Sequence, residues 1–328
     1  MRRRELIKLL AGLAAVAPTS TRVVQAGTLA RVGFIGLDRQ IPLGGAIYQA
    51  FRDEMQKRGF TEGQNLIVEF RSIEQDASAL SSDALGLVRL HVDVIVAAGT
   101  EAAVEAAVGA SRTLPVVMIA TNFDPIAHGF IKSLARPGGN VTGVFLRQTE
   151  LAEKQTELLT QAVPEGKRMA VLWDSISADQ FHAAERRAEA LRVTVSSLQL
   201  IKLPYDFDEA FRTLVKSSPD MLLVLSSPHF TASRSRIAEL AIRYRLPTMF
   251  IFKTYTEAGG LMSYGADYEA MHRQIAGYVA KILMGARPVD LPVEQPNRFE
   301  LVANLKTAKA IGIELPMAIL ERADEVIE

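Results

Sequence analysis

Residues 92–120 read Val-Asp-Val-Ile-Val-Ala-Ala-Gly-Thr-Glu-Ala-Ala-Val-Glu-Ala-Ala-Val-Gly-Ala-Ser-Arg-Thr-Leu-Pro-Val-Val-Met-Ile-Ala. Two short apolar runs, Val92–Ala98 and Pro115–Ala120, flank an alanine-rich segment, Thr100–Thr113. A run of Val, Ile and Ala without polar alternation is the pattern of a strand covered on both faces, as in a parallel sheet. Alanine has the highest helix propensity, and a threonine before such a segment is a helix N-cap candidate. The stretch is a strand–helix–strand unit, and an α/β architecture follows from its repetition.

Working outward, strand-like runs recur at Val32–Leu37 and Asn65–Phe70, with helix-like segments at Gly45–Arg58 and Asp76–His91. Beyond about residue 145 the order restarts. Met169–Trp173, Val193–Leu203, Met221–Leu225 and Pro247–Phe252 are strand-like, separated by helix-like segments at Ala178–Leu191, Phe207–Ser217 and Ala232–Tyr244. The halves superpose at a nearly constant offset: Asp38 to Asp174 is 136 residues, Asp93 to Asp220 is 127, and Leu114 to Leu246 is 132. Two Rossmann-like lobes with parallel sheets flanked by helices are predicted. The turn cluster Arg136-Pro-Gly-Gly-Asn-Val-Thr-Gly-Val144 marks the boundary between them. A third region, Gly259–Glu328, holds a strand at Leu261–Tyr264, a helix at Asp267–Met284 and an extended stretch with Pro288, Pro292 and Pro296.

Composition narrows the function classes. A chain of 328 residues is long enough for two domains, and its 48% apolar and 23% charged residues are ordinary globular values. Thirty-seven basic and 37 acidic residues balance, so no basic field exists to attract nucleic acid. Without cysteine there are no disulfides, thiolate nucleophiles, Cys-based metal sites or lipidated Cys anchor. Arg2, Arg3, Arg4 and Lys8 precede an apolar stretch to Ala17, too short to span a bilayer. Residues 1–26 read as a signal peptide cut after Val24-Gln25-Ala26, by a twin-arginine or a general secretion route. The processed chain keeps 32 basic and 36 acidic residues and is predicted to be exported, periplasmic and soluble, with no membrane insertion of its own.

Four ordered motifs carry a family resemblance: Arg136-Pro-Gly-Gly-Asn-Val-Thr-Gly143, Gly259-Gly-Leu-Met-Ser-Tyr-Gly265, Ala286-Arg-Pro-Val-Asp-Leu-Pro-Val-Glu-Gln-Pro296, and Phe299-Glu-Leu-Val-Ala-Asn-Leu-Lys-Thr-Ala-Lys-Ala-Ile-Gly312. Arg58-Gly-Phe-Thr-Glu-Gly63 with Asn65, and Asp124-Pro125, add to them. Together they resemble the ABC-transporter substrate-binding proteins of the tryptophan-transporter-like branch. The resemblance implies a type I periplasmic-binding-protein fold with three interlobe crossings, lobe 1 holding residues 27–143 plus about 255–288 and lobe 2 residues 144–254 plus about 289–328. It also implies capture of an amino acid, often aromatic, or a related small organic solute for a membrane permease.

In such sheets ligands bind outside the carboxyl ends of the strands. The loops at those ends supply the candidate ligand-binding residues: Asp38, Gly99, Thr100, Thr121, Asn122 and Asp124 from the first half, and Trp173, Asp174, Ser175, Ser227 and His229 from the second, with Tyr264. Thr100 and Thr121, at helix starts with free N–H groups, suit a ligand carboxylate, or cap their own helices. Asp124 suits an ammonium group or is a simple cap before Pro125. Trp173, Phe123, His229, Phe230, Tyr255 and Tyr264 either sandwich a flat apolar ligand group or pack inside the lobes. The five histidines lack i, i+3 or i+4 pairing, no phosphate-binding loop is present, and Ser263 has only half of a nucleophile elbow. Neither a metal, a cofactor nor an enzymatic step is expected. The partners expected are a small-molecule ligand and an ABC permease in the inner membrane, and the alternative role is a periplasmic sensor presenting its closed form to a signalling receptor.

Overall fold

The computed structural model describes residues 29–36, 45–71, 77–121 and 123–328; the expected leader, Asp38 and Asn122 lie outside them. The first lobe runs β1 (Ala30–Ile35), α1 (Ala46–Lys57), β2 (Leu66–Arg71), α2 (Ala77–Arg89), β3 (Val94–Gly99), α3 (Glu101–Ala110), β4 (Val116–Ala120) and β5 (Val141–Phe145). Its sheet is parallel throughout, in the order β2-β1-β3-β4-β5. Every residue of β4 is buried, which is why its sequence, VVMIA, is an unbroken apolar run.

The Pro-Gly-Gly-Asn-Val-Thr-Gly motif is structural. Asn140 Nδ2 donates to the carbonyls of Leu114 (2.7 Å) and Ser111 (3.2 Å), tying β5 to the loop before β4. Gly143 has φ +135°, and a Cβ there would lie 2.1 Å from the Met118 carbonyl oxygen, so only glycine lets β5 reach β4.

The second lobe continues with α4 (Gln148–Ala162), β6 (Arg168–Asp174), a 3₁₀ turn (Ser175–Ser177), α5 (Ala178–Ala190), β7 (Thr194–Leu200), α6 (Phe207–Leu214), β8 (Met221–Val224), α7 (Pro228–Ala232), α8 (Arg234–Arg243), β9 (Thr248–Phe250), α9 (Lys253–Glu257) and β10 (Met262–Ala266). The chain then gives α10 (Tyr268–Leu283) to the first lobe and returns with β11 (Phe299–Asn304), α11 (Leu305–Ile311), α12 (Met317–Leu320) and β12 (Glu325–Ile327). The sheet order is β12-β11-β10-β9-β8-β6-β7. All its pairs are parallel except β10–β11, because β11 re-enters from the other lobe and runs against β10.

Three crossings join the lobes. The first follows β5, at Leu146–Arg147 instead of 143–144, because β5 pairs with β4 of the first sheet as far as Phe145. The second lies at Asp267 instead of near 255, because β10 is hydrogen-bonded to β9 and β11 whereas α10 packs on α1 and the first sheet. The third lies at 295–298, later than 288, because Glu294 still bridges to Val144 of β5. At the last two crossings the strands meet: Asp267 N donates to Arg298 O at 3.0 Å, and the Arg298 guanidinium lies 3.5 Å from the Asp267 carboxylate.

Two apolar clusters fill the outer faces of the sheets, one under α2 and α3, the other under α4, α5 and α11. A third runs through both lobes, from Phe34 and Phe51 by way of Met271 and Ile275 on α10 to Phe252, Phe230 and Phe211. A shared core through the crossings gives the lobes a packed pivot. Among the described residues no helix is long and apolar enough to cross a membrane.

Candidate functional site

An open cleft of about 1950 Å³ separates the carboxyl ends of the two sheets. The first lobe contributes Gly99, Thr100, Thr121 and Asp124 to it, and the second contributes Ser175, Ser227 and His229. The strand-end loops therefore bring together seven of the residues that sequence reasoning selected.

The two threonines differ. Thr121 is 7% exposed, and its hydroxyl donates to the Gly99 carbonyl at 2.6 Å, so its proton is committed within the lobe. Thr100 occupies the N-cap position of α3 in an extended conformation, yet makes no capping hydrogen bond. Its Oγ1 is buried and finds no hydrogen-bond partner among the described residues. A hydroxyl at the positive end of a ten-residue helix, with its donor free, is an arrangement that receives an anionic oxygen. Asp124 accepts from the backbone N–H of Ile126 (2.8 Å) and Ala127 (3.3 Å), which is capping geometry. Beside it, His128 Nδ1 meets the Glu101 carboxylate and its ring stacks on Phe130.

On the second lobe, Ser227 caps α7: its Oγ accepts from His229 N at 3.3 Å, with Pro228 in the first turn. Tyr205, which follows β7, lines the cleft with its ring edge against His229 and its hydroxyl 3.3 Å from Asp174 Oδ2. Burial, followed by the charge and hydrogen bond of Asp174, pushes the Tyr205 phenol up to about 12. Phe252 and Tyr268, their ring centroids 4.7 Å apart and tilted by 30° across the second crossing, complete an aromatic patch that also includes Phe123 from the first lobe. The strand-end rule reaches Phe252. Tyr205 and Tyr268 escape it because one follows the loop past Pro204 and the other opens a helix whose lobe the sequence does not fix.

Three candidates are placed elsewhere. Trp173 points to the outer face of the second sheet, stacked on Phe181 at 4.6 Å and donating its indole N–H to Ser197 at 2.8 Å. Successive residues of β6 alternate faces, so Trp173 shares the outer core with Met169 and Val171. Asp174 is fully buried behind the cleft wall. Tyr264 lies within β10 against Phe299, its carbonyl accepting from Gln155. Phe230 and Tyr255 are core residues, exposed by 0% and 1%.

Charges at the cleft rim are largely paired. Lys253 meets Glu325 at 2.6 Å and Glu257 at 3.7 Å, and Arg236 pairs with Asp208 and with Glu239. Burial, with Asp267 nearby, raises the Glu300 carboxyl above the usual range. Under the pivot His272 is buried and its ring is held down to about 4 by that burial. Among the described residues no group of three or more His, Asp or Glu side chains is arranged to hold a metal.

Two α/β lobes, three crossings and a cleft framed by strand ends are the architecture of the type I periplasmic binding proteins. The chain belongs to the ABC transporter substrate binding protein family, which matches residues 43–327. It is 25% identical over 274 residues to the tyrosine-binding protein of Clostridioides difficile (strain R20291), spanning 81% of this chain and 76% of that one. Among solved structures it is similar to a conserved domain protein from Vibrio cholerae O1 biovar El Tor, with a TM-score of 0.81 and 25% identity over 91% of this chain and 100% of that one. It is also similar to the ABC domain in complex with L-Trp from Streptococcus pneumonia, with a TM-score of 0.78 and 26% identity over 92% and 100% of the two chains. The type I periplasmic-binding-protein fold expected from the motifs is the fold observed. The family is one of substrate-binding proteins and is not an enzyme class.

Proposed function

We propose that this chain is the exported, periplasmic solute-binding component of an ABC import system, capturing an amino acid, in particular an aromatic one, or a related carboxylate by closing its lobes. The observation that carries the reading is the start of α3 at the carboxyl end of β3, where Thr100 lines a cleft that is also lined by the rings of Tyr205, Phe252 and Tyr268. In this reading the hydroxyl and the first N–H groups of α3 take the ligand carboxylate, and the aromatic rings take its flat side chain. The tyrosine-binding relative and the L-Trp complex support an aromatic amino acid. The released ligand passes, unaltered, to an inner-membrane permease.

The test is a thermal-shift panel of amino acids and aromatic acids on the processed protein. A ligand that binds only the folded state stabilises it by about 2.7 kcal/mol at a hundred times Kd. One narrow chemical class should raise the melting temperature, and a flat response across the panel would overturn the reading.

A further inference from the structure

Asp174 ends β6 and is 0% exposed. Its Oδ1 accepts from Ile176 N and from the Ser177 hydroxyl, both at 3.1 Å. Its Oδ2 accepts from the Ser227 hydroxyl at 2.5 Å and the Tyr205 hydroxyl at 3.3 Å. All of these donors are neutral. A carboxylate taken out of water is costly unless it is hydrogen-bonded and compensated, and here the hydrogen bonds are made while, among the described residues, no ion pair reaches it. Two of its donors, Ser227 and Tyr205, line the cleft.

A hydroxyl has one proton to give. Those of Ser227 and Tyr205 go inward to Asp174, and Ser227, 1% exposed, also accepts from His229 N, so the group that faces the cleft is the Tyr205 oxygen, with lone pairs only and a negative charge behind it. A ligand group meeting this wall must bring its own protons and is stabilised if it is positive. A ligand carboxylate in the same place would meet no donor from either group and would be repelled by Asp174. The opposite polarity lies on the first lobe, at the head of α3, where the Thr100 hydroxyl has no hydrogen-bond partner among the described residues. Arg236 and Lys253 are held by carboxylates of their own, and Arg234, whose guanidinium donates to the Thr231 carbonyl at 3.0 Å, keeps its charge but forms no ion pair with Asp174.

We infer that Asp174 is a positioning residue that, through Ser227 and Tyr205, makes the second-lobe wall the seat of a ligand ammonium group, so that the cleft selects zwitterionic α-amino acids over the corresponding acids that lack the amine. The inference rests on the solute-binding reading above and narrows its ligand class. It assigns a function to a buried charge that stability alone does not call for, since a buried charge without a counter-charge is a net cost to folding.

The experiment compares L-tyrosine with 3-(4-hydroxyphenyl)propionate by calorimetric titration of the purified protein, the two differing only in the amine. Wild type should prefer tyrosine by about 10- to 150-fold, the range a hydrogen bond to a charged group supplies. In Asp174→Asn the preference should collapse towards unity because the acid binds as well as before or better. A purely structural defect would weaken both compounds alike. The Tyr205 phenol should also titrate lower in Asp174→Asn, read by phenolate absorbance, since part of its elevation comes from Asp174. If Asp174→Asn does not fold, Tyr205→Phe removes the cleft-facing acceptor and should reduce the preference by itself. Equal binding of the two compounds by wild type, or an undiminished preference in the folded variant, overturns the Asp174 assignment and leaves the solute-binding reading standing. A wild-type protein that binds neither compound, nor tryptophan, phenylalanine or benzoate, overturns both.

Discussion

Replacing Thr100 by valine should stabilise the empty protein and weaken the liganded one, and this pair of opposite signs is specific to the proposed site. Valine keeps the β-branched shape and suits the extended backbone at this position, φ −105° and ψ 153°. Because Thr100 makes no capping hydrogen bond, no cap is lost, and because its Oγ1 is buried without a partner among the described residues, an unmet polar group is removed. Leaving such a group unpaired costs about 1–3 kcal/mol. At the low end of that range, and at about 2–4 °C per kcal/mol for a large domain, the ligand-free melting temperature should rise by about 2 °C. With ligand, the variant lacks a donor to an ionised carboxylate, about 1.5–3 kcal/mol, or roughly a 10- to 150-fold loss of affinity. Thr121→Val is the contrast. Its hydroxyl already donates to Gly99, so the substitution should lower the ligand-free melting temperature instead. Scanning calorimetry of the empty proteins and titration calorimetry with the best ligand from the panel read both quantities. A Thr100→Val protein that is destabilised when empty, or that binds with undiminished affinity, would refute the assignment of this hydroxyl to the ligand.

Other expectations test the scaffold and the limits of the site. Asp220 accepts from Lys167 N and Arg168 N, both at 2.9 Å, and from the Arg168 guanidinium at 2.8 Å, and Arg168 foremost lowers its carboxyl to about 2. A depressed carboxyl pKa contributes stability above its unfolded value and loses it as pH falls through the folded one, so Asp220→Asn should cost about 1–2 kcal/mol at neutral pH. That deficit should narrow between about pH 4 and 2; a deficit independent of pH in acid unfolding would count against the pairing. Gly265→Ala would set a Cβ 1.9 Å from the Ile251 carbonyl oxygen, and since the obstacle is backbone the strands must part, at about 1–3 kcal/mol or more. An unchanged melting temperature would show that β9 and β10 are not so close. Trp173→Phe should leave ligand affinity unchanged, the indole being engaged with Phe181 and Ser197; a marked loss in titration would put it back in the cleft.

Much of this protein is legible one residue at a time. The unbroken apolar runs Val94–Ala98 and Val116–Ala120 announce strands covered on both faces, and the strand-end rule then points to Gly99, Thr100, Ser175 and Ser227 because chain direction in a parallel sheet is fixed by its helical connections. Other features are not local. The burial pattern of β6 alternates faces, but the sequence does not say which face looks at the cleft, so Trp173 and Asp174 fall differently from their neighbour Ser175. The helix pattern of Tyr268–Leu283 is plain, but only its packing on α1 shows that it belongs to the first lobe and that the crossing lies at Asp267.

The sequence by itself determined the alternation of strand and helix, the duplication into two lobes and the motifs of the family, because periodicity and turn chemistry are properties of neighbours along the chain. Only the tertiary structure decided which hydroxyls remain free. Thr100 and Thr121 are the same residue type at equivalent strand ends, and Ser227 is a cap in any reading. What distinguishes them is where each proton goes: to a carbonyl at the end of the neighbouring strand, to a buried carboxylate 53 positions earlier in the chain, or to no partner among the described residues. A hydrogen bond is a matter of distance in space, and the folding of the chain sets that distance.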